Sequence, residues 1–538
     1  MSGVPRAPQA HRWTAGAGAC LLAVVGPAVP EAAAETGVQG AVSAAVSPVA
    51  GAVSDTVFHV PGAHQRIAMP DGTVLSARVY APHRAPGETG RPPLLVMPAA
   101  SYLGEDWYTF EAPRYAAAGY LVVAYAERGI GGSTGYLDFA GSRDIDDLSR
   151  IVDWAVDSAH ADPARVGVYG CSYGASVGLQ AAAVDPRIKA VAAFNGWTDF
   201  FRAFYTHDTE HELSAWFHVL AARAVERPAP DLAAGYREFL RGNSAAARQT
   251  LQTDDRSVNR RVAGLNANGT AVFMVNNWYD TGVAAPDQIA EFFDALTVPK
   301  YLEMRPGEHA EAMPSCLAAT LDAVCDRARE WLDLHVLGRP TGMADAAPLA
   351  VRPRTAGPDE SYPSWQAMAA STATPAPTLP GGSRTIATGR DSGADAGIPV
   401  VSPALDKRGL PPTVVMPLLS PTAAAVWQSE PTTVPWRVRG TPRVTLSVTP
   451  SAATGTFFAY LYDVDALGVG RLVTHTPYTF RDRTPGVPFT VDTDFTATAY
   501  TVPSGHRVAL VIDSADLLYR AHNPSGARIA FADPRLGW

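Results

Sequence analysis

The chain has 538 residues, 47% of them hydrophobic and 18% charged, too apolar for a disordered chain and too interrupted for a polytopic membrane protein. At roughly 150 residues per domain, such a length leads one to expect three or four domains. Lys and Arg number 43 against 52 Asp and Glu, a formal net charge of −9, which excludes a general attraction to polyanions and argues against nucleic acid as the partner.

The N-terminal segment Met1 to Ala34 reads as a signal peptide. Arg6, His11 and Arg12 precede an uncharged stretch from Trp13 to Pro30, and Ala32-Ala33-Ala34 follows, the grammar of a cleaved leader. Gly16, Gly18, Gly26, Pro27 and Pro30 interrupt that stretch, and it falls short of the roughly 20 apolar residues of a membrane span. Export to a secreted, extracellular location is therefore expected, with no stable membrane span. An Ala/Val/Gly/Ser spacer (35–55) comes next. Past the leader remain Cys171, Cys316 and Cys325; an oxidising compartment would permit a disulfide between the last two, and Cys171 reads as a small buried filler.

From residue 56 the pattern is that of an α/β domain. Two alternating runs, 64–69 and 73–80, flank Pro70-Asp71-Gly72, a hairpin signal. Unbroken apolar runs then recur at Leu94–Met97, Leu121–Ala124, Val166–Tyr169, Ala190–Phe194, Val272–Val275 and Tyr301–Met304 with helical patterns between them, which predicts a parallel sheet covered on both faces. A long stretch rich in helix formers and aromatics separates Phe194 from Val272 and predicts a helical cap (198–265) inserted between the two parts of the α/β domain (56–197 and 266–342). A closing helix is expected over 322–338. Beyond, 343–538 turns rich in Pro, Thr, Ser and Gly and then into short alternating strands at 443–448, 456–462, 471–475, 489–493 and 507–512. These predict an all-β sandwich or jelly roll.

The chemistry is carried by Gly170-Cys171-Ser172-Tyr173-Gly174, a G-x-S-x-G pattern that an apolar strand enters and a small-residue helix leaves. That context makes Ser172 the candidate nucleophile of a strand-turn-helix elbow, with a helix N-terminus aimed at the reacting carbonyl. A serine hydroxyl needs a base and an orienting carboxylate. Asp280 stands just beyond the strand 272–275, on the far side of the cap from Ser172, and His309 follows in the loop after the strand 301–304. Both therefore emerge at the sheet edge that carries Ser172. Asp287, Glu308 and His335 are the substitutes in those roles. The oxyanion hole should take the backbone N–H of Tyr173 and a donor from the loop Pro98–Tyr102, either the Tyr102 hydroxyl or a backbone N–H near Ala100.

A second constellation competes. His207-Asp-Thr-Glu210-His211 matches H-x-x-E-H, in which two histidines on one helix face bind zinc and a glutamate activates water, and His218 is one heptad on. No motif supplies a third ligand, and the expectation is a polar cap helix near the cleft; neither a metal nor an organic cofactor is expected.

With Gly170–Ala175, Trp278-Tyr279-Asp280, Gly307-Glu308-His309, Ser429-Glu430-Pro431, the run 440–446, Leu461–Asp465 and Pro503–Val508, the chain resembles the family of X-Pro dipeptidyl-peptidases and cocaine-esterase-type acyl esterases from about residue 60 to its end. The resemblance implies an α/β-hydrolase with a helical cap and a C-terminal jelly roll, a triad at Ser172, Asp280 and His309, and a tyrosine hydroxyl completing the oxyanion hole. The loop holding Tyr102 is slightly longer than the family pattern, and an Asp-x-Arg-Gly turn reads Glu127-Arg128-Gly129 here.

The function expected is that of an exported serine hydrolase working through an acyl-enzyme, with a small peptide or ester as its substrate. Release of N-terminal X-Pro dipeptides is the first reading, acyl ester hydrolysis the second, and non-catalytic capture of a carbohydrate or partner the third. A dipeptidyl-peptidase must bind a free α-ammonium group, for which Asp208, Glu210 and Glu212 are candidate carboxylates. Candidate cleft walls are Trp197, Phe200, Trp216, Trp278 and Tyr279.

Overall fold

The computed structural model describes residues 62–83, 89–100, 104–215, 218, 227–307, 309, 323–372, 375–397, 401–406 and 410–538. The expected leader and spacer lie outside the described residues. Strands β1 (Ala63–Ala68) and β2 (Val74–Tyr80) form the predicted hairpin, and β3 (Pro93–Pro98), β4 (Leu121–Tyr125), β5 (Asp162–Cys171) and β6 (Ile188–Phe194) follow. A separate two-stranded ribbon, β7 (Tyr205–Thr206) and β8 (Thr209–Glu210), precedes β9 (Ala271–Asn277), β10 (Lys300–Arg305), β11 (Leu349–Val351) and β12 (Glu360–Tyr362). The main sheet has the order β1-β2-β4-β3-β5-β6-β9-β10-β11-β12, parallel from β4 to β11. It therefore continues past residue 342, where the sequence reading placed the start of the β region.

The unbroken apolar runs are explained by burial on both faces. In β3, Leu94 and Val96 join one core and Leu95 and Met97 the other. The first core is closed by α2 and α3, the second by α1 and α8, once the helices are counted as α1 (Glu111–Ala117), α2 (Ser142–Asp157), α3 (Tyr173–Val184), α4 (Pro230–Leu240), α5 (Ser244–Leu251), α6 (Val262–Asn268), α7 (Pro286–Ala295) and α8 (Ala323–Leu337). Each fully buried aliphatic side chain contributes about 1.5–3 kcal/mol. The closing helix spans the expected residues, with Val324, Ala328, Trp331 and Leu332 buried.

The cap is mixed rather than wholly helical. Where H-x-x-E-H predicted a helix face, the chain turns back as the β7–β8 ribbon, with His207 (φ 45°) and Asp208 (φ 60°) at its left-handed tip. The helical reading of that motif is thereby corrected. His207 is exposed and within 3.0 Å of Thr476 Oγ1, whereas His211 is buried and within 3.0 Å of Thr206 Oγ1. Helices α4, α5 and α6 complete the described part of the cap.

The C-terminal part is an all-β antiparallel region. A four-stranded sheet pairs Arg384–Ala387, Arg528–Gly537, Arg443–Pro450 and Phe489–Asp494, and a five-stranded sheet pairs Thr413–Val415, Val469–Phe480, Gly455–Val464, Arg507–Asp513 and Ala425–Gln428. All five predicted strand segments fall within them. Phe457, Phe458, Tyr460 and Tyr462 are fully buried, as strand core. Among the described residues no helix is long and apolar enough to cross a membrane.

Candidate active site

Order β4-β3-β5 in the sheet is a topological switch, since the chain leaves β3 towards one side and returns on the other. Ligand sites of parallel sheets form at such points, outside the carboxyl ends of the strands. Ser172 sits there, between β5 and α3, with φ 52° and ψ −116°. A non-glycine residue in that region costs about 1–3 kcal/mol. The turn is held by the Ser172 N–H donating to Phe194 O at 2.7 Å and by two close approaches. A Cβ on Gly170 would lie 2.5 Å from the carbonyl of Gly174, and one on Gly174 would lie 2.1 Å from Pro98 O. The start of α3 therefore abuts the end of β3, the loop from which the second oxyanion donor was expected.

The acid and base reach this point because the pairing of β9 and β10 continues past their ends. Trp278 N–H donates to Arg305 O (2.9 Å) and Tyr279 N–H to Gly307 O (3.0 Å). Two loops zipped in this way bring Asp280 and His309 together. His309 Nδ1 is 2.8 Å from Asp280 Oδ2, and His309 Nε2 is 2.6 Å from Ser172 Oγ. A carboxylate only accepts, so Nδ1 carries the proton and Nε2 is left to accept from the serine hydroxyl. Asp280 is 1% exposed, and its other oxygen accepts from Ala284 N–H at 3.0 Å. His218 donates from Nδ1 to Ser214 O, and burial pushes its imidazole down to about 4, so it stands as a neutral neighbour of the pair.

Below the elbow, Tyr173 is fully buried, its hydroxyl donating to Asp144 and its ring stacked with Phe139 (5.0 Å) and Trp197 (6.1 Å). This anchoring fixes the first turn of α3, where the Tyr173 backbone N–H has no acceptor within the helix. Cys171 N–H donates to Tyr108 O–H, which in turn donates to Pro98 O. Burial pushes the Cys171 thiol up to about 12. Tyr102, the other expected oxyanion donor, lies outside the described residues, as do Trp216, Glu308 and Cys316. Cys325 is disulfide-bonded, and its partner also lies outside them.

The other candidates are placed elsewhere. Trp197 and Phe200 are buried, and the Trp197 indole donates to Arg256 O. The Trp278 indole donates to Arg352 O, and Tyr279 packs under the Arg354 guanidinium. Trp197, Phe200 and Trp278 are buried and Tyr279 is half-buried, and the polar edges of Trp197, Trp278 and Tyr279 are used in the core or toward the β region. Glu210 is fully buried, 2.6 Å from His522 Nε2 and 2.9 Å from Ser244 Oγ, and Glu212 pairs with Arg520 at 2.9 Å. Asp208 is exposed at the ribbon tip and accepts from Tyr205 O–H at 3.2 Å. Among the substitutes, Asp287 accepts from Ala497 N–H (2.7 Å) and His335 packs on Trp331. Among the described residues no three His, Cys, Asp or Glu side chains are grouped to hold a metal.

Sequence reasoning missed Asn195, the residue after β6, whose amide Nδ2 is 2.9 Å from Asp280 Oδ2. Arg128, read in sequence as part of the Glu127-Arg128-Gly129 turn, bridges Asp147 (2.7 Å) and Asp71 (2.9 Å) and so fixes that turn. An Asn directly after a buried strand is the one local signal that could have pointed to Asn195.

Residues 71–311 match the X-Pro dipeptidyl-peptidase (S15) family and residues 352–534 the C-terminal non-catalytic domain of X-Pro dipeptidyl-peptidases, so that the two take in most of the chain. An aminopeptidase from a marine sediment archaeon, Thaumarchaeota archaeon, is similar in structure with TM-score 0.65 and 14% identity, covering 88% of this chain and 94% of that one. An α-amino acid ester hydrolase is similar with TM-score 0.65 and 16% identity, covering 87% and 94%. A CocE/NonD family hydrolase from Staphylococcus aureus is similar with TM-score 0.61 and 14% identity, covering 87% and 91%. A thiohydrolase from Arthrinium phaeospermum is 30% identical over 125 residues, 23% of this chain; the match spans 39% of that protein's length.

Proposed function

Because the chain belongs to the X-Pro dipeptidyl-peptidase (S15) family and is a serine hydrolase, we propose that it cleaves small carboxylic esters or amides through an acyl-enzyme on Ser172. The observation that carries this reading is the continuous relay Ser172 Oγ, His309 Nε2, His309 Nδ1, Asp280 Oδ2, with separations of 2.6 and 2.8 Å. His309 takes the serine proton as Oγ attacks the carbonyl carbon, and Asp280 holds the tautomer and the imidazolium that forms. The tetrahedral oxyanion is received by the Tyr173 N–H at the start of α3, with a second donor from the loop after β3. His309 then returns the proton to the departing alcohol or amine. Water, deprotonated by the same imidazole, attacks the acyl carbon and releases the acid and Ser172. The pattern of residues 1–34 supports reading the enzyme as exported.

Esters with uncharged acyl groups are the reading that the candidate carboxylates among the described residues favour. An X-Pro peptidase needs a carboxylate for the α-ammonium group, yet Glu210 and Glu212 are taken up by His522 and Arg520, and Asp208 sits at an exposed turn. Release of X-Pro dipeptides is the second reading, favoured by the family of both matched segments. Turnover of short acyl esters, compared with X-Pro anilides bearing free and blocked N-termini, separates the two. Free-amine-dependent anilide cleavage as the dominant activity would replace the first reading by the second, and turnover retained in Ser172→Ala would overturn both.

A further inference from the structure

Asn195 stands at the end of β6 in the left-handed region, with φ 53°. That conformation is uncommon outside glycine, and Asn is among the side chains that tolerate it best. Its backbone N–H donates to Val275 O at 2.9 Å, so the position is tied to β9, the strand that leads to Asp280. The side chain is 1% exposed. Its Nδ2 lies 2.9 Å from Asp280 Oδ2, 3.0 Å from Asn277 Oδ1 and 3.1 Å from Asn276 Oδ1.

The orientation of the three amides is set by their other partners. Asn276 Nδ2 donates to Ala284 O and Asn277 Nδ2 to Pro306 O, which turns both carbonyl oxygens toward Asn195. Three acceptors thus converge on one NH2 group with two protons, and the carboxylate is the nearest and the charged one. Asn195 Oδ1 faces the opposite way, buried and without a hydrogen-bond partner among the described residues. Leaving a buried carbonyl unsatisfied is costly. Glycine would suit the backbone better and would avoid that cost, so the amide must be kept for what its nitrogen does.

We propose that Asn195 is a positioning residue for the catalytic acid: it holds Asp280 Oδ2, the oxygen that also receives His309 Nδ1–H, and keeps the carboxylate aimed at the imidazole. The proposal rests on the relay reading above. The N–H dipole points its positive end at Asp280, so removing it affects the pair in two ways that act together. A less stabilised carboxylate takes up a proton at higher pH, and an imidazole facing an uncompensated carboxylate keeps its proton to higher pH. Both changes move the pH dependence of the reaction in the same direction. Facing the pair are also His218, neutral through burial, and the Ser172 hydroxyl.

The test is the pH profile of kcat/KM for Asn195→Gly, which keeps the backbone conformation, and for Asn195→Asp, which sets a second carboxylate beside Asp280. Active sites are counted by fluorophosphonate titration, and Ser172→Ala is run alongside. The expected result is a loss in kcat of about 10- to 100-fold for Asn195→Gly, a KM within about twofold, an acidic limb moved to higher pH and a larger loss for Asn195→Asp. Normal kcat and an unmoved acidic limb in Asn195→Gly, with Ser172→Ala inactive, would overturn this role and leave the relay standing. Activity persisting in Ser172→Ala would instead remove the relay itself and the proposal with it. A loss confined to the titrated fraction of folded sites would also overturn it, because that is what a merely structural residue does.

Discussion

The guanidinium of Arg354 lies over the ring of Tyr279, 4.3 Å from its centroid, and donates to the Tyr279 hydroxyl. Tyr279 is the neighbour of Asp280, while Arg354 is bound to Asp406 (3.1 Å) and to Leu472 O (2.8 Å) in the C-terminal part of the chain. Through this one residue the all-β region grips the loop of Asp280, the proposed catalytic acid. Arg354 and Asp406 are both almost wholly buried, and deleting one charge of such a pair strands the other. Arg354→Ala is therefore expected to cost about 3–5 kcal/mol in chemical denaturation. Tyr279→Phe, which removes one hydroxyl and keeps the ring, should cost about 1 kcal/mol. Equal, small effects in both variants would show that the contact does not couple the two parts.

Replacing Asp280 by Asn keeps its shape and removes its charge. The amide can present an N–H to His309 Nδ1, which favours the wrong tautomer and leaves Nε2 protonated toward Ser172. A fall in kcat of about 10⁴-fold is expected with little change in KM, read in steady-state ester hydrolysis after the fold is checked by circular dichroism.

Gly174→Ala tests the closeness of the elbow to β3. The added methyl meets Pro98 O and Ala99 O, both backbone atoms that cannot step aside. A destabilisation of about 1–3 kcal/mol or more is expected, together with loss of fluorophosphonate labelling, because the oxyanion donors move with the helix start. Labelling at the wild-type rate would mean that the elbow is looser than these contacts require.

His211 and His475 are buried and held neutral, both pushed down to about 3, chiefly by burial. A base whose folded pKa is depressed contributes stability that is present above its unfolded pKa of about 6.5 and is lost as pH falls toward the folded value. Thermal midpoints should therefore drop between about pH 6.5 and pH 3. His475→Gln, which retains a partner for the Tyr519 hydroxyl, should show a shallower drop than wild type over that window. A parallel curve for the variant would assign the acid sensitivity to other groups.

With its thiol pushed up to about 12 and no exposed surface to speak of, Cys171 should resist alkylation at neutral pH in the native enzyme, despite standing next to Ser172. Mass spectrometry after iodoacetamide treatment reads this directly. Rapid modification with loss of activity would contradict its buried, protonated state.

The parallel strands and the strand-turn-helix around Ser172 were legible in the sequence, because each is written locally. An unbroken apolar run marks a strand buried on both faces, and glycines two positions either side of Ser172 mark a turn that admits no Cβ. Asp280 and His309 could be placed for the same reason, as residues just beyond strands whose ends share one edge. What no local pattern recorded was which distant groups meet. His207-x-x-Glu210-His211 has helical spacing, yet it folds as a ribbon with Glu210 paired to His522, far along the chain in the β region. Trp278 and Tyr279 read as walls of a cleft, and nothing in their neighbours along the chain announces Arg352 and Arg354 at their polar edges. Asn195 reads as an ordinary loop residue until the β6–β9 pairing sets its amide against Asp280. Hydrophobic periodicity is a property of neighbours along the chain, and so the strands and the turn at Ser172 can be read from residue order; hydrogen-bond complementarity between remote segments exists only after packing, and so the partners of Asp280 cannot.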